Sequence, residues 1–237
     1  GVNAGLVSRG YRTKDHAPLW IGENEESLRR ETAGDEPLML AKRLPNVKIV
    51  VSKDRVRGVK MLADLGVQVA VTDDTFQHRK MSRDVDIVLV DSTCPFGNGN
   101  VIPAGLMREP MTAFGRADIV VLTKANQVSG FDVTLIRRQL ELYVDKKKIF
   151  IADIVLESWL KITAEATETL PPEQPPQGKY SVFSAIGNPE GFYKFIEDRH
   201  ITIAAQRSYR DHHIFGSDDV EKLAALAAEL GADGFIC

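Results

Sequence analysis

Residues 67–74, Val67-Gln68-Val69-Ala70-Val71-Thr72-Asp73-Asp74, form a short apolar run that ends in two adjacent carboxylates. A run of this length with little polar alternation is the pattern of a strand buried on both faces, as in a parallel sheet. The pattern recurs before it in Val47-Lys48-Ile49-Val50-Val51 and after it in Asp86-Ile87-Val88-Leu89-Val90, Asp118-Ile119-Val120-Val121-Leu122 and Ile149-Phe150-Ile151-Ala152. Gly5-Leu6-Val7-Ser8-Arg9 reads as one more strand running into a loop. Between these runs, residues 36–44, 55–65 and 133–143 place apolar side chains at helical spacing. Strands alternating with helices predict an α/β fold, a mostly parallel sheet flanked by helices.

The texture changes near Leu170, where Pro171-Pro172-Glu173-Gln174-Pro175-Pro176 can continue neither a helix nor a central strand. Beyond it, Tyr180-Ser181-Val182-Phe183-Ser184-Ala185-Ile186-Gly187 reads as a strand ending at a turn, and Asn188-Pro189 as a helix start with Asn188 as N-cap. A strand near 201–205, a helix from 218 or 219 to 230 and a last strand at 234–237 complete a smaller unit. The expected organisation is a core domain over 1–155, a linker over 156–178 and a smaller C-terminal α/β domain over 179–237.

The chain has 237 residues, with 30 Lys+Arg against 33 Asp+Glu, so no broad basic surface is available and nucleic acid is excluded as the expected partner. At 43% hydrophobic residues it can bury one large core or two modest ones, which excludes disorder. No apolar run approaches the roughly 18 residues of a spanning helix, and no signal-peptide pattern opens the chain, so it is expected to be soluble, intracellular and monomeric. Cys94 and Cys237 lack disulfide or zinc spacing and read as reduced, buried thiols.

Paired carboxylates at the carboxyl end of a parallel strand stand where α/β proteins bind ligands, and Asp73-Asp74 has the form of a Walker B site able to hold Mg²⁺. The alternative is that the pair only caps a following helix. Gln77-His78, immediately after, adds polar ligands at the same strand end. Asp35, in Gly34-Asp35-Glu36-Pro37, suits either an N-cap or a catalytic base. Arg108-Glu109-Pro110 closes a long stretch rich in Gly and Pro, where Arg108 can meet phosphate and Glu109 can orient it or bind metal. Asp211-His212-His213 lies beyond a strand of the smaller unit, an acid beside histidine that suits general-base work. The phosphate-binding pattern G-x-x-x-x-G-K-[ST] occurs nowhere in the 237 residues.

In order along the chain, Ser8-Arg9-Gly10-Tyr11, Gly34-Asp35-Glu36-Pro37, Asp54-Arg55, Asp73-Asp74-Thr75-Phe76-Gln77-His78, Arg83-Asp84, Gly97-Asn98-Gly99, Pro103-Ala104-Gly105, Arg108-Glu109-Pro110, Ile186-Gly187-Asn188-Pro189 and Asp211-His212-His213 together resemble the tetraacyldisaccharide 4′-kinase family of lipid A biosynthesis. The resemblance implies a P-loop NTPase-like kinase that uses ATP and Mg²⁺. It would phosphorylate the 4′-hydroxyl of a tetraacyldisaccharide 1-phosphate at the cytoplasmic face of the bacterial inner membrane. It makes Asp73 and Asp74 the metal carboxylates, Asp35 and His212 the catalytic acid–base pair with His213 as the competing histidine, and Gln77 and Asn188 neighbours of the nucleotide. Tyr11, Arg108 and Glu109 would face the substrate. The family's P-loop, its membrane-associating helix and a Thr-Thr-Glu-Lys-Asp-like segment are expected outside these residues, so the chain alone is expected to be inactive or severely impaired. Thr75 replaces a family glycine where a tight turn is expected, and Leu106-Met107 replaces Pro-Leu. Two other classes remain open: a metal-dependent phosphohydrolase using Asp73, and a non-catalytic nucleotide- or lipid-binding module.

Overall fold

Val7, Ile49, Val50 and Val51 are sealed from solvent, and helices cover both faces of the strands that carry them. The computed structural model describes residues 1–10, 17–22, 24, 26–211 and 213–237, divided into two units, Gly1–Ile154 and Val155–Cys237. In the first unit one sheet has the order β2 (Leu19–Trp20), β3 (Lys48–Val51), β1 (Ala4–Ser8), β4 (Val69–Thr72). β1 pairs in parallel with β3 and β4, and β2 is antiparallel to β3. Ala33 of α1 (Arg30–Ala33) and Leu38, Leu40 and Ala41 of α2 (Asp35–Arg43) pack with Ile49 and Val51. On the other side, Leu62 of α3 (Arg55–Asp64) packs with Val7 and Val50. Asp54 starts α3 by accepting the Arg57 N–H at 3.2 Å. A Cβ on Gly58 would stand 2.6 Å from Val7 Cγ1, so only glycine lets α3 lie this close to β1.

A second sheet of the same unit, β5 (Ile87–Asp91), β6 (Ile119–Thr123) and β7 (Ile149–Ile151), is parallel throughout. Its core joins Val90, Val120 and Leu122 to Ile136 and Leu140 of α4 (Gly130–Leu140), which Ser129 caps at 3.1 Å. The expected parallel architecture is present, split between two sheets. Burial on both faces, expected for several of these runs, fails at β4, β5 and β7. Each is paired along one edge only, and Val71 and Leu89 are 55% and 67% exposed.

In the second unit β10 (Lys179–Ser184) lies between β11 (Thr202–Ser208) and β12 (Gly234–Ile236), all parallel. Val182 and Ile201 pack with Tyr193 and Ile196 of α5 (Pro189–Glu197), and α6 (Ser217–Glu229) contributes buried Leu223 and Ala227. The segment 156–178, read from the sequence as a linker, holds an antiparallel hairpin of β8 (Trp159–Ile162) and β9 (Thr167–Leu170). Trp159 packs on the second unit's core and donates its indole N–H to the Pro172 carbonyl at 3.3 Å. The cysteines correct the expectation of burial: both thiols are exposed, Cys94 in the turn after β5 and Cys237 beyond the edge strand β12. Among the described residues no helix is long and apolar enough to cross a membrane.

Leu62→Ala and Leu140→Ala, each truncating a side chain sealed from solvent, are expected to cost about 2–5 kcal/mol in urea unfolding. Leu142→Ala, at a side chain 76% exposed, should stay within about 0.5 kcal/mol.

Candidate active site

Arg55, in the first turn of α3, is a buried guanidinium that ties two strand ends together. Its Nη1 donates to the Ser52 carbonyl at 2.7 Å, and its Nε and Nη2 both donate to the Asp73 carbonyl, at 3.2 and 3.0 Å. The Asp73 N–H donates to the Val7 carbonyl at 3.1 Å, so the backbone at Asp73 is held from two sides. Burial lowers the Arg55 pKa while the Asp73 and Asp74 carboxylates pull it upward; arginine remains charged through such changes.

The next residue turns the chain. Asp74 has φ 50°, the left-handed conformation that Asp and Asn adopt more readily than most side chains. Thr75, standing where the family glycine was expected, carries none of that strain. It is buried, and its hydroxyl shares a 2.8 Å hydrogen bond with the Thr72 hydroxyl. No helix follows; among the described residues the next helical turn is the 3-10 segment Met111–Arg116. The reading of Asp73-Asp74 as a helix cap therefore falls, and both residues remain exposed at the end of β4.

The Gly- and Pro-rich segment between β5 and β6 folds back toward this turn. Asn98 Nδ2 donates to the Ala104 carbonyl at 2.8 Å, and a Cβ on Gly105 would stand 2.1 Å from Asn98 Oδ1 and 2.2 Å from the Asn100 carbonyl oxygen. Arg108, delivered by this loop, donates from Nη1 to Asp74 Oδ1. The pair is half exposed and so adds little stability; its consequence is the placement of a cation beside the carboxylates. Glu109 takes a two-pronged hydrogen bond from Arg116, 2.9 Å on each side, and a third at 3.3 Å from Arg79. The Arg116 guanidinium lies 4.4 Å from the centre of the Phe76 ring. The Arg116 hydrogen bonds hold the Glu109 carboxyl below its ordinary value, against a smaller opposing effect of burial.

Asp73, Asp74, Gln77, Arg108 and Glu109 thus line one cavity of about 1170 Å³, walled by β4 and β5. Asp35 does not line it, although its neighbour Glu36 does. Nor is Asp35 an N-cap: Gly34, at φ 88°, is the cap and Asp35 the first residue of α2. Asn188, in the second unit, caps α5 with its side-chain oxygen on the Gly191 N–H at 3.1 Å. Tyr11 and His212 lie outside the described residues. Exposed carboxylate oxygens suit Mg²⁺, which takes one or two protein carboxylates and completes its shell from phosphate and water. No cluster of three or more metal-binding side chains occurs among the described residues.

Sequence reasoning gave Arg55, Arg79 and Arg116 no role: Arg55 meets backbone carbonyls, Arg79 meets a carboxylate 30 positions away, and Arg116 meets Glu109, 7 positions away at a spacing that no regular element predicts. It also missed Lys124, at φ 55° after β6, which donates to Asp91 at the end of β5. Burial pushes the Asp91 carboxyl up, but hydrogen bonds from Lys124 and Thr93 outweigh it and hold the group below its ordinary value. The available signal was two polar residues at the ends of two apolar runs.

The family model for tetraacyldisaccharide-1-P 4′-kinase, LpxK, matches residues 1–237, and the chain belongs to that family. The tetraacyldisaccharide 4′-kinase of Elusimicrobium minutum is 33% identical over 234 residues, covering 97% of this chain and 62% of that protein. That of Chlorobaculum parvum is 35% identical over 220 residues, covering 90% and 58%. The crystal structure of the "apo" form of LpxK from Aquifex aeolicus in complex with ATP superposes with a TM-score of 0.63 at 28% identity, covering 89% of this chain and 62% of that one. The chain therefore spans about three fifths of the length of these relatives.

Glu109→Gln is expected to cost roughly 1–2 kcal/mol at pH 7, as a charge-assisted pair is weakened. Because the folded-state carboxyl lies below the ordinary 4.5, the wild-type advantage is complete above that pH and lost as the pH falls through the lowered value. Urea unfolding of both proteins between pH 7 and pH 3 measures the convergence.

Proposed function

We propose that the protein carrying this chain, a member of the tetraacyldisaccharide-1-P 4′-kinase family, transfers the γ-phosphoryl group of ATP to the 4′-hydroxyl of a tetraacyldisaccharide 1-phosphate at the cytoplasmic face of the inner membrane. The observation that carries this reading is the turn at the carboxyl end of β4. It sets Asp73 and Asp74 in the open, with Arg108 on Asp74, beside a cavity large enough for a nucleotide's phosphates. The ATP bound by the Aquifex aeolicus relative supports the choice of donor.

In this reading Asp73 and Asp74 hold Mg²⁺, which when bound neutralises charge on the transferring phosphoryl group. Arg108 adds positive charge at the cavity, and Arg116 holds Glu109, which lines the same cavity, in place. Gln77 lines the phosphate region, and the 186–188 turn around Asn188 belongs to the nucleotide side of the second unit. Asp35 accepts the proton of the sugar hydroxyl with His212 as its partner, and Tyr11 faces the lipid substrate. These 237 residues contain no P-loop, so we infer that the chain by itself is inactive. The gap between β4 and β5 is where a strand bearing such a loop would pair. Both flanking edges are parallel strands, with Asp73 and Asp91 at their carboxyl ends.

The test is ATP-dependent phosphorylation of tetraacyldisaccharide 1-phosphate by the full-length protein. Asp35→Ala should abolish transfer, and Asp73→Asn should lower kcat by at least about 100-fold, the scale of losing a charge that stabilises the transition state. No transfer by the wild-type protein would overturn the reading, and a stable acyl-phosphate on Asp73 would favour the phosphohydrolase.

A further inference from the structure

The second unit contains an acid–histidine pair to which the reaction above gives no role. His213 Nε2 and Asp219 Oδ2 are 2.8 Å apart, and the same carboxylate oxygen accepts the Gly216 N–H at 3.1 Å at the start of α6. An ionised carboxylate only accepts, so Nε2 carries the proton and the ring is held in one tautomer. The His213 hydrogen bond, with the Gly216 N–H second, holds the Asp219 carboxyl below its ordinary value.

Aromatic packing fixes the plane of the ring as well. The imidazole stacks on Tyr209 at 4.8 Å and 23° and meets Phe215 edge-on at 5.0 Å and 89°. Phe215 continues onto Phe183 of β10 at 5.3 Å, and the Tyr209 N–H donates to the Ser184 carbonyl at 2.8 Å, so the assembly is anchored in the sheet. Between these anchors the chain makes a tight turn, with the His213 N–H donating to the Arg210 carbonyl at 2.9 Å. That turn carries Asp211. A Cβ added to Gly187 would lie 4.0 Å from Asp211 Oδ2, which places the 186–188 turn after β10 beside the turn after β11. Both lie at the carboxyl end of the parallel sheet, the edge where α/β proteins build ligand sites.

We propose that His213 is a positioning residue: locked by Asp219 and packed against Tyr209 and Phe215, which also touch each other at 4.9 Å, it holds the turn that carries Asp211 at the carboxyl edge of the smaller sheet and takes no part in proton transfer. The proposal rests on the kinase reading for its effect on turnover and on the dyad alone for its geometry. It also separates two adjacent histidines, since an imidazole bonded to a carboxylate and packed against two rings is engaged in structure before substrate arrives.

The experiment uses the full-length protein and four variants, His213→Ala, His213→Gln, Asp219→Asn and the double variant His213→Ala with Asp219→Asn, each checked for folding by thermal melting. His213→Ala and Asp219→Asn should each lower kcat by about 10–100-fold, the range seen when a supporting partner is removed, while KM for ATP and for the lipid stays within about twofold. Because the two residues act as a unit, the double variant should be no worse than the poorer single one. His213→Gln keeps a donor for Asp219 and should recover most of what His213→Ala loses, although glutamine cannot accept a proton in turnover. Equal inactivity of His213→Gln and His213→Ala would overturn the proposal in favour of a proton-transfer role, and an unchanged kcat in His213→Ala would overturn it altogether. If the wild-type protein transfers no phosphate, the kinase reading fails on its own. The dyad is then decided by NMR: a slowly exchanging imidazole N–H resonance, lost in Asp219→Asn, supports it, and its absence from the wild-type spectrum overturns it.

Discussion

The site depends on one buried cation. Arg55 spends its donors on two backbone carbonyls, Ser52 beyond β3 and Asp73 beyond β4, and so ties together the carboxyl ends of the two strands that flank β1. A guanidinium removed from water is costly unless its N–H groups are satisfied, and the carbonyls that satisfy it are those whose positions set the acidic turn. Asp73 is thereby held through its backbone, leaving its carboxylate outward for a ligand. Stability and site geometry meet in a single side chain, although that side chain touches nothing that reacts.

Around this anchor the first unit assembles charge of both signs. Asp74 takes the Arg108 guanidinium and Glu109 those of Arg116 and Arg79; Arg108, Glu109 and Arg116 come from the β5–β6 segment, which leaves no room for a side chain at Gly105, and Arg79 comes from the β4–β5 segment. Most of these pairs are open to solvent, where ion pairs contribute little to folding. Their arrangement is better understood as preorganisation: donors and acceptors stand in fixed positions around the cavity before any ligand arrives. The exposed Val, Ile and Leu side chains of β4 and β5 on the walls of the same cavity supply an apolar lining with parallel strand edges unpaired.

Much of the fold was legible because each apolar run in the sequence is a strand and each helical spacing a helix; the Asn188-Pro189 helix start also lies where its capping chemistry puts it. The hairpin within 156–178 was not, because its strands are only four residues long and largely exposed, Thr167–Leu170 is mostly polar, and the core contact of Trp159 exists only in the folded chain. At the site, Asp73, Asp74, Gln77, Arg108 and Glu109 were legible as residue types at a strand end and in a long loop, and they converge on one cavity. The supporting arginines were not, since Arg79 finds its partner only through folding across 30 residues and Arg116 through the irregular path of the chain from 109 to 116. Gly34 was hidden behind Asp35, the better-looking cap, because a glycine at φ 88° shapes a helix start without any side-chain signal.

The left-handed backbone at Asp74 also bears on how such a site could decay. Aspartate and asparagine share a tolerance for this conformation, whereas a β-branched residue there would strain the turn. An exchange of carboxylate for amide at this position would therefore remove the negative charge while preserving the backbone and a hydrogen-bond acceptor for Arg108. The charge of the turn can therefore change without unfolding the domain, so a requirement for stability alone places no constraint on the carboxylate at this position.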